Sequence, residues 1–307
     1  MVTALLTHPA CLAHQVPEGH PESPDRLRAV LSVVDEPDFS ALYREQAPRA
    51  GLEAVARVHS YAERLFAALP TEGFAAIDAD TVVSPGSGEA AERAAGAVIR
   101  AVDLIMADKV RNAFCAVRPP GHHAEPQLAM GFCLFNNIAI GALHARIVHR
   151  AERVAVVDFD VHHGNGTQAL AYGDADFFYA STHESPLYPG TGKAEEHGVA
   201  GNIVNVPLPS GSGSAAFRAA MAGTILPRLE AFAPDFLFIS AGFDAHEADP
   251  LASLRLAADD YGWVTTALCG VAQRTANGHL VSALEGGYDL GALAESAAAH
   301  LRALMAG

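Results

Sequence analysis

Residues 154–167 read Val-Ala-Val-Val-Asp-Phe-Asp-Val-His-His-Gly-Asn-Gly-Thr. Four apolar, mostly β-branched residues read as a buried strand. The chain then turns polar at once, delivering Asp158, Asp160, His162, His163 and Asn165 within eight residues. The same sequence of events occurs three more times. Residues 113–117 lead into Arg118-Pro-Pro-Gly-His122-His123, and residues 236–239 into Ser-Ala-Gly-Phe-Asp244-Ala-His246-Glu-Ala-Asp249-Pro250. Residues 280–284 lead into Glu285-Gly-Gly-Tyr288-Asp289. In open α/β sheets ligands bind beyond the carboxyl ends of the strands. Four strands that each end in polar residues therefore predict one functional edge.

Helical patterns alternate with these strands. In 89–106, Ala91, Ala94, Val98, Val102 and Ile105 share one face. Segments 214–232, 259–273 and 290–305 read similarly, and Ser23-Pro24-Asp25 reads as a cap followed by Pro at the first helical position. This alternation predicts a parallel sheet with helices on both faces. No linker, repeat or composition shift divides the chain, so residues 1–307 are expected to form a single α/β domain.

The 307 residues are 50% hydrophobic and 18% charged, with 20 Lys+Arg against 35 Asp+Glu for a formal charge of −15. Half-apolar composition excludes an intrinsically disordered chain. The negative balance argues against binding nucleic acid or an anionic membrane. The opening Met-Val-Thr-Ala-Leu-Leu-Thr-His-Pro lacks the basic start of a secretory signal, and no run of roughly 18 apolar residues exists. Cys11, Cys115, Cys133 and Cys269 form no Cys-x-x-Cys pair and read as reduced thiols of a cytoplasmic protein.

Asp160 and His162 lie two apart, so on an extended segment they point the same way. With a carboxylate from another strand end they would make a three-ligand site with an open position, as in catalytic zinc centres. Asp244 and Asp249 both compete for that third place. Adjacent His122 and His123 suit a base and an electrostatic partner, and Asp158 and Asn165, which flank Asp160-Val-His162, suit orienting imidazoles through their ring N–H groups. Tyr288 suits hydrogen-bond donation to a developing oxyanion. Gly211-Ser-Gly-Ser214 lacks the Lys of a phosphate loop, which excludes nucleotide binding there.

Taken together, Gly19-His-Pro-Glu-Ser-Pro-Asp-Arg26, Arg118-Pro-Pro-Gly-His-His-Ala124, Gly131-Phe-Cys-Leu-Phe-Asn-Asn137, 158–167, Tyr188-Pro-Gly-Thr-Gly192, 241–250 and Glu285-Gly-Gly-Tyr288 resemble the zinc-dependent histone deacetylase superfamily. The likeness is to its class II and bacterial amidohydrolase side and spans about residues 7–305. It implies an arginase-like fold and removal of an acetyl or other acyl group from an amine by metal-bound water. It assigns Asp160, His162 and Asp249 to one zinc, although Fe(II) accepts the same ligands. His123 would be the base, His122 its electrostatic partner, Asp158 the partner of His122, and Asn165 that of His123. Many relatives carry Asp at the Asn165 position. Tyr288 would polarise the carbonyl. Gly131, Phe132 and Tyr188 would wall a narrow tunnel, and a structural K⁺ would sit by Asp158, Asp160, His162 and Ser181.

Some polyamine-specific relatives place an acid seven residues after the third zinc ligand. Counted from Asp249, that position is Leu256, which favours acyl-lysine over an acetylpolyamine or another small N-acyl amine. A two-metal ureohydrolase, which needs an Asp-x-His-x-Asp pattern, is disfavoured because the position after His163 is Gly164. The intact ligands, histidines and Tyr288 disfavour a non-catalytic acyl-amine binder. The sequence does not set the oligomeric state, and a homo-oligomer is compatible with it.

Overall fold

A computed structural model describes residues 2–307. Its strands are β1 (Thr3–Thr7), β2 (Tyr43–Gln46), the small hairpin β3 (Ala75–Ala76) and β4 (Val82–Val83), β5 (Asn112–Cys115), β6 (Val154–Asp158), β7 (Phe177–Glu184), β8 (Ile203–Leu208), β9 (Phe236–Ala241) and β10 (Leu280–Leu284). The helices are α1 (Pro24–Val34), α2 (Leu52–Ala56), α3 (Ala62–Ala67), α4 (Ser87–Met106), α5 (Asn137–His149), α6 (Asn165–Ala171), α7 (Ser214–Ala220), α8 (Leu226–Phe232), α9 (Ala258–Thr275) and α10 (Leu290–Ala306).

Eight strands form one parallel sheet in the order β2-β1-β5-β10-β9-β6-β7-β8. Helices α4 and α5 pack together against one face, and α1, α10 and α9 cover the other. This is the parallel sheet with helices on both faces that the alternation of patterns predicts, and the arginase-like architecture that the resemblance implies. The four strands singled out by their polar ends, β5, β10, β9 and β6, are the four consecutive central ones. Every residue in them is buried, because helices cover both faces of a parallel sheet. Their carboxyl ends therefore open side by side, and that placement builds the site.

The five apolar residues expected on the inner face of the second long helix, Ala91 to Ile105, are all buried in α4. Asn136 caps α5 by accepting from the Ala139 N–H at 3.0 Å, and Asp289 caps α10 by accepting from the Ala292 N–H at 2.8 Å. Pro24 opens α1, but the Ser23 side chain makes no capping bond. The segment read as one helix over 214–232 is α7 and α8 joined by a π-helical turn, Met221–Ile225. Among the described residues, no helix is long and apolar enough to cross a membrane. All four cysteines are buried free thiols.

Candidate active site

Beyond β6 the chain places Asp160 and His162 on one side of the turn, as their spacing predicts. His162 Nδ1 lies 3.2 Å from Asp160 Oδ1 and 3.1 Å from Asp244 Oδ2. These three donors form a buried group with one ligand atom from each residue. The third member of this group is Asp244. Asp249, the other aspartate of the same loop, stands beside it: its Oδ1 accepts from the Leu251 N–H at 3.0 Å and its Oδ2 from the Tyr288 N–H at 2.7 Å. These bonds tie the loop after β9 to the loop after β10, and each oxygen keeps a lone pair that a cation can use.

The outer oxygens of the cluster are held by backbone. Asp160 Oδ2 accepts from the Gly286 N–H at 2.8 Å, and Asp244 Oδ1 from the Val161 N–H at 2.8 Å. This leaves Asp160 Oδ1, Asp244 Oδ2 and His162 Nδ1 facing one another. Burial alone would depress the His162 imidazole, but the hydrogen bonds and charges of Asp160 and Asp244 override it and hold it at about 10. Burial and the neighbouring Asp160 charge push Asp244 up to about 7. Among the described residues no Lys or Arg pairs with either carboxylate. Two buried carboxylates and an imidazole without such a partner call for a cation, and the O₂N donor set fits a borderline divalent metal.

His122 and His123 stand beside the cluster with ring centroids 4.0 Å apart. His122 Nδ1 bonds Asp158 Oδ2 at 2.9 Å, and His123 Nδ1 bonds Asn165 Oδ1 at 2.9 Å. The two imidazoles are driven apart electrically. For His122, burial is overridden by the Asp158 and Asp160 charges, which raise it well above the ordinary value. For His123, burial together with the neighbouring His122 and His162 lowers it well below. His123 is therefore the neutral, proton-accepting member at neutral pH.

Asn165 is itself held. Its Nδ2 donates to Glu125 Oε1 at 2.7 Å, so the amide must present its oxygen to His123. That keeps the proton on His123 Nδ1 and leaves Nε2 free to accept. We expect Asn165→Asp to move the acid limb of kcat/KM toward higher pH, because a carboxylate stabilises the imidazolium more than an amide does. In the wild type that limb should fall below about pH 6.5, the ordinary imidazole value. A pH–rate series on both proteins checks the order.

A cavity of about 190 Å³ leads to this group, lined by His123, Phe132, His162, Tyr188, Leu251 and Tyr288, with Gly131 at its wall. The Tyr188 ring meets His123 edge-on at 5.1 Å, and Phe132 meets Tyr288 at 5.9 Å. Gly131 sits at φ +57°, and a Cβ there would strike the His123 ring, so glycine is needed on both counts. Leu256 does not line the cavity. It packs in the core, its N–H donating to the Ala245 carbonyl at 3.0 Å. Leu251, two residues after Asp249, does line it.

Arg26 was quoted only as part of a motif, yet it is a main support of the site. Fully buried, it donates to the carbonyls of Gly287 and Glu285, pairs with Glu22, and lies 4.8 Å from the Tyr288 ring centroid. Glu285 Oε2 accepts from the N–H groups of Gly121 and His122 at 2.6 and 3.1 Å, joining the β10 loop to the histidine loop. Ser181 lies directly across from Asp158 on β7, and its Oγ bonds His183 Nδ1 at 2.9 Å.

A sheet of this topology, with a buried carboxylate–imidazole group and a histidine pair at its central strand ends, defines a class of hydrolase. The chain belongs to the histone deacetylase family: the histone deacetylase domain matches residues 20–304. It is 43% identical to a histone deacetylase-like amidohydrolase of Pseudomonas aeruginosa, over 88% of this chain and 73% of that one. It is 37% identical to type-2 histone deacetylase 2 of Dictyostelium discoideum, over 99% of this chain but only 21% of that longer protein. The crystal structure of the HDA15 HD domain superposes with a TM-score of 0.94 at 35% identity, covering 99% of this chain and 88% of that one. The family is zinc-dependent in general and takes acylated amines.

Proposed function

We propose that residues 1–307 form one zinc-dependent deacylase domain that hydrolyses acyl-lysine amides, with Asp160, His162 and Asp249 as the metal ligands and Asp244 as the buried partner of His162. The observation that carries this is that one cavity is lined by His162 of the cluster, neutral His123 and Tyr288. A zinc ion held there would supply Lewis acidity to the amide carbonyl and to the attacking water. His123 Nε2 takes the proton from that water and afterwards returns it to the leaving amine. His122, held charged by Asp158, stabilises negative charge building beside it. The Tyr288 hydroxyl donates to the carbonyl oxygen as it becomes an oxyanion. Phe132 and Tyr188 flank the substrate stem and keep bulk water from it. A monovalent cation beside Asp158, Asp160, His162 and Ser181 would brace the loop that carries two of the ligands.

Leu251 at the cavity favours an apolar lysine stem over the charged body of a polyamine. Zinc-loaded protein should cleave acetyl-lysine peptides faster than acetylpolyamines in a turnover panel that includes longer acyl-lysines. Leu251→Glu should shift relative kcat/KM toward the polyamine by about 1.5–5-fold, the worth of a solvent-exposed ion pair of roughly 0.2–1 kcal/mol. Failure to cleave any acylated amine with zinc bound would replace this reading with that of an acyl-amine binder.

A further inference from the structure

A second group of metal-ligating side chains lies at the other end of the molecule. Asp103 is in the last turn of α4, and His144 and His149 are in the last two turns of α5. His144 Nε2 and His149 Nε2 both meet the same atom, Asp103 Oδ1, at 2.7 Å. The two rings stand edge to face with centroids 5.3 Å apart. Among the described residues, no Lys or Arg pairs with Asp103.

Three features make this more than a surface ion pair. Two imidazole nitrogens and a carboxylate oxygen converge within bonding reach of one point, as in the catalytic cluster. Two helices end there, so the negative ends of both dipoles point at the group and favour positive charge. The side chains are 12% to 35% exposed, which leaves room for waters to complete a coordination shell. Imidazole with carboxylate suits zinc, nickel, copper or cobalt rather than calcium or magnesium.

We infer that Asp103, His144 and His149 form a second binding site for a divalent transition cation such as Zn²⁺. The ion would take the Nε2 lone pairs of two neutral imidazoles, each carrying its single proton on Nδ1, and clamp α4 to α5. The group adjoins the amino ends of the strands, whereas the catalytic cluster lies past their carboxyl ends. The five residues of β6 alone set the two apart by roughly 17 Å. The inference is independent of the catalytic reading.

The test is metal stoichiometry on the full chain, stripped with chelator and titrated with Co²⁺ or Zn²⁺ by calorimetry, with metal analysis after desalting. Wild type should take two equivalents, and a His144→Ala/His149→Ala variant with native circular dichroism should take one while keeping its deacylase activity. Asp160→Asn should also take one, now at α4 and α5. His149→Gln, a milder change at an exposed helix end, guards against a double variant that fails to fold and should take one as well. A wild-type stoichiometry that the His144→Ala/His149→Ala variant or folded His149→Gln leaves unchanged would overturn the inference. Loss of the catalytic equivalent alone bears on the proposed function and leaves this site standing.

Discussion

Tyr288→Phe should lower kcat by about 10²–10³ while leaving bound metal and thermal stability close to wild type. The ring is fixed by contacts that the hydroxyl does not make. Arg26 lies over it at 4.8 Å, Phe132 meets it edge-on, and its backbone N–H is held by Asp249. Phenylalanine keeps all three, so the variant removes only the hydroxyl proposed to donate to the carbonyl oxygen. KM should change little, because the hydrogen bond strengthens as charge develops on that oxygen. Steady-state kinetics with metal analysis of the same sample checks this. Near-wild-type turnover would remove Tyr288 from the reaction.

Asp160→Asn and Asp249→Asn should each abolish metal retention and with it turnover. The expected loss exceeds the ~10–100-fold that removing an outer partner costs. Asp244→Asn is the informative contrast. Asp244 accepts from the Val161 N–H through Oδ1 and faces His162 Nδ1 through Oδ2. As a partner that orients His162, its change should keep the metal and cost activity only within that ~10–100-fold range. Metal content separates the variants even if all are slow. A metal-free Asp244→Asn protein beside a metal-replete Asp249→Asn protein would reverse the assignment.

The central fold was legible because buried parallel strands are written as apolar runs with abrupt polar ends. β6, β9 and β10 announce themselves in this way. The outer strands do not. β2 is Tyr-Arg-Glu-Gln with mostly exposed residues, and β7 ends in Ser-Thr-His-Glu although every residue in it is buried. Pattern alone gave no sign of either. In the site, Asp160 and His162 followed from their i, i+2 spacing, whereas the third carboxylate turned on two aspartates in one loop, Asp244 and Asp249, which spacing alone does not separate. Arg26 and Glu125 were beyond sequence reasoning, because their importance lies in contacts. Arg26 reaches carbonyls more than 250 positions away, and Glu125 acts on His123 only through Asn165.

The channel before Tyr288 has room for about six water molecules, taking roughly 30 Å³ for each. Those beside Phe132, Leu187 and Leu251 find no side-chain hydrogen bonds there. In the proposed reaction an aliphatic stem would expel these poorly anchored waters whatever acyl group it carries, which is favourable for any such stem. Much of the affinity would then be common to every candidate, and discrimination would fall to the two ends of the channel: the rim to what the amine is attached to, the floor to the size of the acyl group.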